Sequence, residues 1–148
     1  MLIETLKLLF NRDLNQLKTE IELYQNENQI WHIQKGIANS AGNLCLHLVG
    51  NLNTYIGAEF GKTGYIRNRA LEFSQKDIPR AELIIKIEQT IIVVNNALNN
   101  IPEEELKMEF PLLVFEIKTS TAFMLTHLTI HLAYHLGQIN YHRRLLDC

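Results

Sequence analysis

Three histidines near the C-terminal end of the chain, His127, His131 and His135, follow one another at four-residue steps, and His142 lies a little beyond them. On a helix, residues four apart differ by about 40° in azimuth and about 6 Å in height, so imidazoles at i and i+4 can converge on one ion. Three in a row cannot share it, because His127 and His135 are separated by about 12 Å of rise. A single ion therefore takes His127/His131 or His131/His135 and draws further ligands from another helix. His47 is the natural supplier, since it stands in the middle of a run, NLCLHLVGNLN, that otherwise buries in a helical core.

Three neutral imidazoles leave at least one coordination position open for water or substrate, the pattern of a catalytic rather than a closed structural site. An open site of this kind lowers the pKa of a bound water or thiol toward neutrality. With a low-molecular-weight thiol it would present a thiolate to an electrophile; with water alone it would support hydrolysis. No HExxH arrangement supplies a general base, which favours transfer to a thiol. The other imidazole nitrogens need acceptors, for which Asn43, Asn51, Tyr134, Gln138 or a backbone carbonyl are candidates.

Outside the histidines, Arg67 and Arg69 could grip the carboxylate of a small-molecule substrate, guanidinium forks matching that geometry, against the plainer reading of a solvated pair. Trp31 is either a pocket-mouth residue or ordinary packing at a helix junction. Cys45 is turned about 200° away from His47 around the helix and does not share its ion. His32 reads as a loop residue, and His142 as a helix-end residue that suits the dipole.

The elements that must position these residues are helical. From Leu2 to about Tyr24, apolar residues Leu6, Leu9, Phe10, Leu14, Leu17, Ile21 and Tyr24 recur at three- and four-residue steps. The polar segment that follows is a connector, with Asn39 or Ser40 as cap for a second helix running to about Phe60. That helix carries two stripes, one of leucines and one of Asn43, His47, Asn51 and Tyr55, and the polar stripe needs partners. A long loop with room for a helical turn follows. Asp77 as cap and Pro79 in the first turn announce a third helix that ends at Asn99 and Asn100, before Pro102. Around Pro111 a short irregular hairpin is expected. Thr119 or Ser120 then caps a last helix that runs almost to the end. Four long amphipathic segments predict an all-α helical bundle with its ligand site built between facing helices.

At 148 residues, 47% hydrophobic and 20% charged, the chain is expected to form one globular domain over residues 1–148. A formal charge of −2, from 14 basic and 16 acidic residues, offers no field for a polyphosphate backbone, so nucleic acid is not an expected partner. Arg143 and Arg144 are read as offsetting a helix dipole. Two cysteines, Cys45 and Cys148, make neither a disulfide framework nor a CxxC motif, which fits a reducing, cytoplasmic setting. The N-terminal stretch lacks the features of a signal peptide and no apolar run reaches membrane-spanning length, so neither secretion nor a membrane partner is expected.

The run HLAYHLGQINYHRRLL, with His131, His135, Gly137 and Gln138 in a His-x-x-x-His-x-Gly-Gln core, resembles the last-helix signature of the DinB/YfiT-like metal-binding bundles. NSAGNLCLHLVGNLN is similar to the second-helix segment of that family, with His47 where its first metal ligand stands, and GYIRNRALEF resembles the loop of an uncharacterised subgroup. The region from Glu103 to Lys118 is the least similar. The resemblance implies an up-down-down-up four-helix bundle and selects His131/His135 over His127/His131. It implies a three-histidine site for zinc, nickel, or another divalent ion such as iron or manganese, and frequent homodimerisation. Activity is not fixed by it, since some members resemble thiol-dependent S-transferases or isomerases and many have no assigned reaction.

Three readings follow. The first is a metal-dependent enzyme, S-transferase-like or a hydrolase, with a substrate cavity beside an exposed ion. The second is a non-catalytic metal-binding or stress-associated dimeric module, marked by a fourth protein ligand such as His127 or Asn51. In the third, the histidines are core or surface residues of a structural dimer.

Overall fold

The first helix, α1 (Leu2–Leu23), buries Ile3, Leu6, Phe10, Leu14, Leu17 and Ile21 along one face, as its three- and four-residue spacing requires. The computed structural model describes residues 1–148 and contains four further helices and no strands: α2 (Ala41–Leu52), α3 (Arg69–Ser74), α4 (Arg80–Asn99) and α5 (Thr121–Leu146). Helix α2 is buried on almost every side, which is why its sequence is apolar nearly all round. It packs between α4 and α5, which also flank α1, and thirty buried apolar residues from all these elements form one cluster.

Contacts at the helix ends fix the directions. Glu20, near the end of α1, meets Arg143 and Asn140, near the end of α5, so those two helices run parallel. Arg80, which starts α4, donates to the Glu22 carbonyl at the end of α1, so that pair is antiparallel. Asn53 bonds Thr90 while Trp31, ahead of α2, donates to the Ile78 carbonyl ahead of α4, which makes α2 and α4 parallel. The order is the expected up-down-down-up.

Local signals decide the boundaries. The Ser40 hydroxyl accepts from the Asn43 amide and the Ser120 hydroxyl from the Phe123 amide, each 3.1 Å away, so serine and not its neighbour is the cap in both cases. Helix α2 continues from Asn53 to Ala58 in a widened π turn, where Asn53 and Thr54 side chains take the carbonyls of Val49 and Gly50. Asp77 is not the cap of α4. Its backbone is left-handed, at φ 58°, and Pro79 occupies the cap position. The expected hairpin reduces to a single antiparallel bridge between Glu109 and Ser120, which leaves Phe110 fully buried against Tyr55 and Phe60. No helix is long and apolar enough to cross a membrane.

Candidate metal centre

Antiparallel packing of α2 against α5 sets His47 opposite His131 and His135. One nitrogen of each lies within 4.8 Å of the others, so the three are placed where they could hold a metal ion. His127 is outside this group. Its ring leans on Phe115 at 4.8 Å and stacks loosely on His131, with centroids 6.2 Å apart.

The three rings do not converge by chance of rotamer, because two of them are held from behind. His47 Nδ1 lies 3.0 Å from Glu72 Oε1, and since a carboxylate can only accept, Nδ1–H donates. That leaves the Nε2 lone pair of His47 facing His131 Nε2 at 3.2 Å. His135 Nδ1 donates to Gln138 Oε1 at 2.7 Å, one helical turn along, and its Nε2 is likewise free. Nitrogens bound about 2.0–2.1 Å from one ion at a tetrahedral angle stand about 3.3–3.4 Å apart, so the His47–His131 spacing fits a shared divalent cation. His131 is the exception behind the ring: its Nδ1 is buried with no partner, and its orientation comes from packing between His127 and His135.

Glu72 is the residue that sequence reasoning missed. It comes from α3, inside the stretch taken for a loop, and its carboxylate also receives Arg67 Nε at 2.8 Å and Nη2 at 2.9 Å. The side chains of His47, Glu72 and Arg67 are only 8%, 7% and 14% exposed, so this is a largely buried pair of charges behind a candidate ligand. Burial opposes the Glu72 charge, yet bonds from His47 and Arg67 outweigh it and hold the carboxyl below its ordinary range. A carboxylate behind a ligating histidine fixes the tautomer and raises the basicity of the coordinating nitrogen.

The polar stripe of α2 explains how α3 is delivered. Asn43 donates to the backbone carbonyls of Glu72 and Gln75, at 2.9 and 2.8 Å, and accepts from Ser40 and Lys76. Tyr55, at the far end, lies under the Arg67 guanidinium at 5.8 Å. Gly50 lets Glu72 approach: a Cβ there would fall 2.6 Å from Glu72 Cδ and closer still to Oε2. A glycine inside a helix and an Arg-x-x-x-x-Glu pair were the available signals for this arrangement.

The structure places the remaining candidates as follows. Arg67 is committed to Glu72. Arg69 is exposed, forms no ion pair, and lies over the Phe73 ring at 5.2 Å, which in turn packs on His47 at 4.9 Å. Trp31 is buried and lies flat against Gly42, whose missing side chain makes the space. Cys45 is wholly buried and its thiol is pushed up to about 12, so it stays protonated and inert. His142 is not a dipole-facing end residue. It is buried, accepts from the Tyr24 hydroxyl at 2.7 Å and donates to the His32 carbonyl at 2.8 Å, tying α1, the connector and α5 together.

Burial, then the neighbouring His135 and His47, push His131 down to about 4, and burial also lowers His135 and His142. Below their ordinary value of 6.5, the unfolded chain binds protons that the native protein does not. The stability of the metal-free protein is therefore expected to be full above pH 6.5 and to fall as pH drops toward 4. Urea midpoints measured on chelator-stripped protein check this, and a midpoint unchanged from pH 7 to pH 5 would contradict it.

The profile of a family described as "Protein of unknown function (DUF1572)" matches residues 2–147. No curated protein and no solved structure matches the chain.

Proposed function

The chain belongs to the DUF1572 family, and we propose that it is a divalent-metal-dependent enzyme, zinc- or nickel-dependent, that transfers a low-molecular-weight thiol to an electrophile. The observation that carries this reading is the unfilled geometry of the site. Three imidazoles from two helices converge, and no fourth histidine, cysteine or carboxylate joins them. The resemblance to the DinB/YfiT-like bundles, some of which resemble thiol-dependent S-transferases or isomerases, points the same way.

A bound zinc or nickel ion supplies a Lewis acid that favours the thiolate over the thiol. The chain's own residues do the rest. Glu72 keeps the proton of His47 on Nδ1, and Gln138 does the same for His135, so both present lone pairs. Arg69, which has no carboxylate partner and lies over the Phe73 ring that packs on His47, would take the carboxylate of a substrate. The sulfur forms a bond to the electrophilic carbon, the leaving group departs with its electron pair, and the thiol proton passes to solvent. Hydrolysis is less well supported, because the one carboxylate near the histidines is held by Arg67 and unavailable as a base.

Protein loaded with zinc or nickel is expected to accelerate chloride release from 1-chloro-2,4-dinitrobenzene with cysteine as co-substrate, and His135→Ala to lose that acceleration. A protein that binds the ion yet turns over none of the small thiols tried would overturn the enzyme reading and leave a binding module.

A further inference from the structure

A cavity of about 530 Å³ lies between the connector, residues 34–39, and the last turns of α5, a size typical of sites for small organic ligands. Its apolar wall is made by Ile37, Leu44, Leu145 and Leu146, and its polar groups include Lys35 and Gln138. No acidic residue lines it. Lys35 is exposed and takes part in none of the ion pairs of the chain. Gln138 gives its carbonyl oxygen to His135, and its amide N–H groups are unclaimed. His142, the other titratable group on the wall, already spends both ring nitrogens on Tyr24 and the His32 carbonyl.

Lys35 is thus the one unpaired charge on the wall and Gln138 adds free N–H donors, while the amides of Gln34 and Asn39 can donate or accept. Asn39 and Leu44 bring the cavity to the N-terminus of α2, the positive end of its dipole, and Arg144 stands in the last turn of α5, whereas Arg143 is paired with Glu20. We propose that this cavity binds an amphipathic organic carboxylate, its hydrocarbon body on the leucines and isoleucine and its head on Lys35 and Gln138. Because Gln138 also holds His135, an occupant of the cavity touches the support of a candidate ligand. The cavity itself does not depend on the metal reading.

Calorimetric titration of the full, chelator-stripped chain with decanoate, decanol and decyltrimethylammonium tests this. Decanoate is expected to bind, decanol about fivefold more weakly, and the cation more weakly still. Lys35→Gln, at an exposed position, is expected to bring decanoate to the level of decanol, and Ala38→Trp to fill the cavity and remove binding. Absence of decanoate binding, equal binding of the three amphiphiles, or retention in Ala38→Trp would overturn the proposal. Decanoate binding is expected to persist in His47→Ala. Its loss there would put the carboxylate at the histidines and also overturn the proposal, whereas failure of the chain to bind any metal leaves the expected results unchanged.

Discussion

Alanine in place of Glu72 is expected to destabilise the metal-free protein by about 3 kcal/mol and to weaken divalent-metal binding about 10- to 100-fold. The carboxylate is the shared partner of His47 and Arg67, and His47 and Glu72 are buried while Arg67 is largely so. Removing it strands the Arg67 charge next to His47 Nδ1, which lies 3.3 Å from Arg67 Nη2, and frees the imidazole to take the other tautomer. Glu72→Gln keeps an acceptor for Nδ1–H but loses the charge, so it should fall between the two. Urea unfolding and competition against a chelator separate the terms. Lower stability with unchanged metal affinity in Glu72→Ala would mean that the carboxylate holds α3 in place and does nothing for the histidine.

Two glycine substitutions are expected to move stability in opposite directions. Alanine is preferred over glycine in a helix by about 1 kcal/mol, and at Gly137 a new Cβ meets nothing within 4 Å, so Gly137→Ala should stabilise by about 0.5–1 kcal/mol. At Gly50 the same Cβ lands on the Glu72 carboxylate, which must leave its place between His47 and Arg67. Gly50→Ala should therefore cost about 2–3 kcal/mol despite the better helix former, and should reproduce the metal-affinity loss of Glu72→Ala. Thermal melts of the two variants decide this; Gly50→Ala as stable as the parent would show that the carboxylate does not occupy the space beneath that glycine.

The sequence made the four long helices legible because each has a wide apolar face repeated over several turns, and the caps Ser40 and Ser120 sit where such faces begin. His47, His131 and His135 were legible for a related reason. Their helices were clear, so the four-residue spacing and the isolated histidine in an apolar run had a definite geometric meaning. The choice of His135 over His127 came from resemblance alone; spacing left both open, and the tertiary setting of His127 against Phe115 is what removes it from the cluster.

What escaped lies in short, tertiary-determined pieces. Helix α3 spans only Arg69–Ser74, too few residues for periodicity to declare itself, and it exists because Asn68 caps it and Asn43 holds its end. Glu72 was invisible for that reason, although Gly50 pointed to a close approach against α2. The left-handed Asp77 and the burial of His142 were also out of reach, since both depend on how the connectors fold over the helix ends.

Elemental analysis of the purified, untagged protein beside His47→Ala, His131→Ala and His127→Ala tests the central claim most directly. About one divalent ion per chain is expected in the parent and in His127→Ala, and none in His47→Ala or His131→Ala, because each supplies a nitrogen that no neighbour replaces. No ion after addition of zinc or nickel, or an ion that survives the loss of His47, would contradict a centre built between α2 and α5.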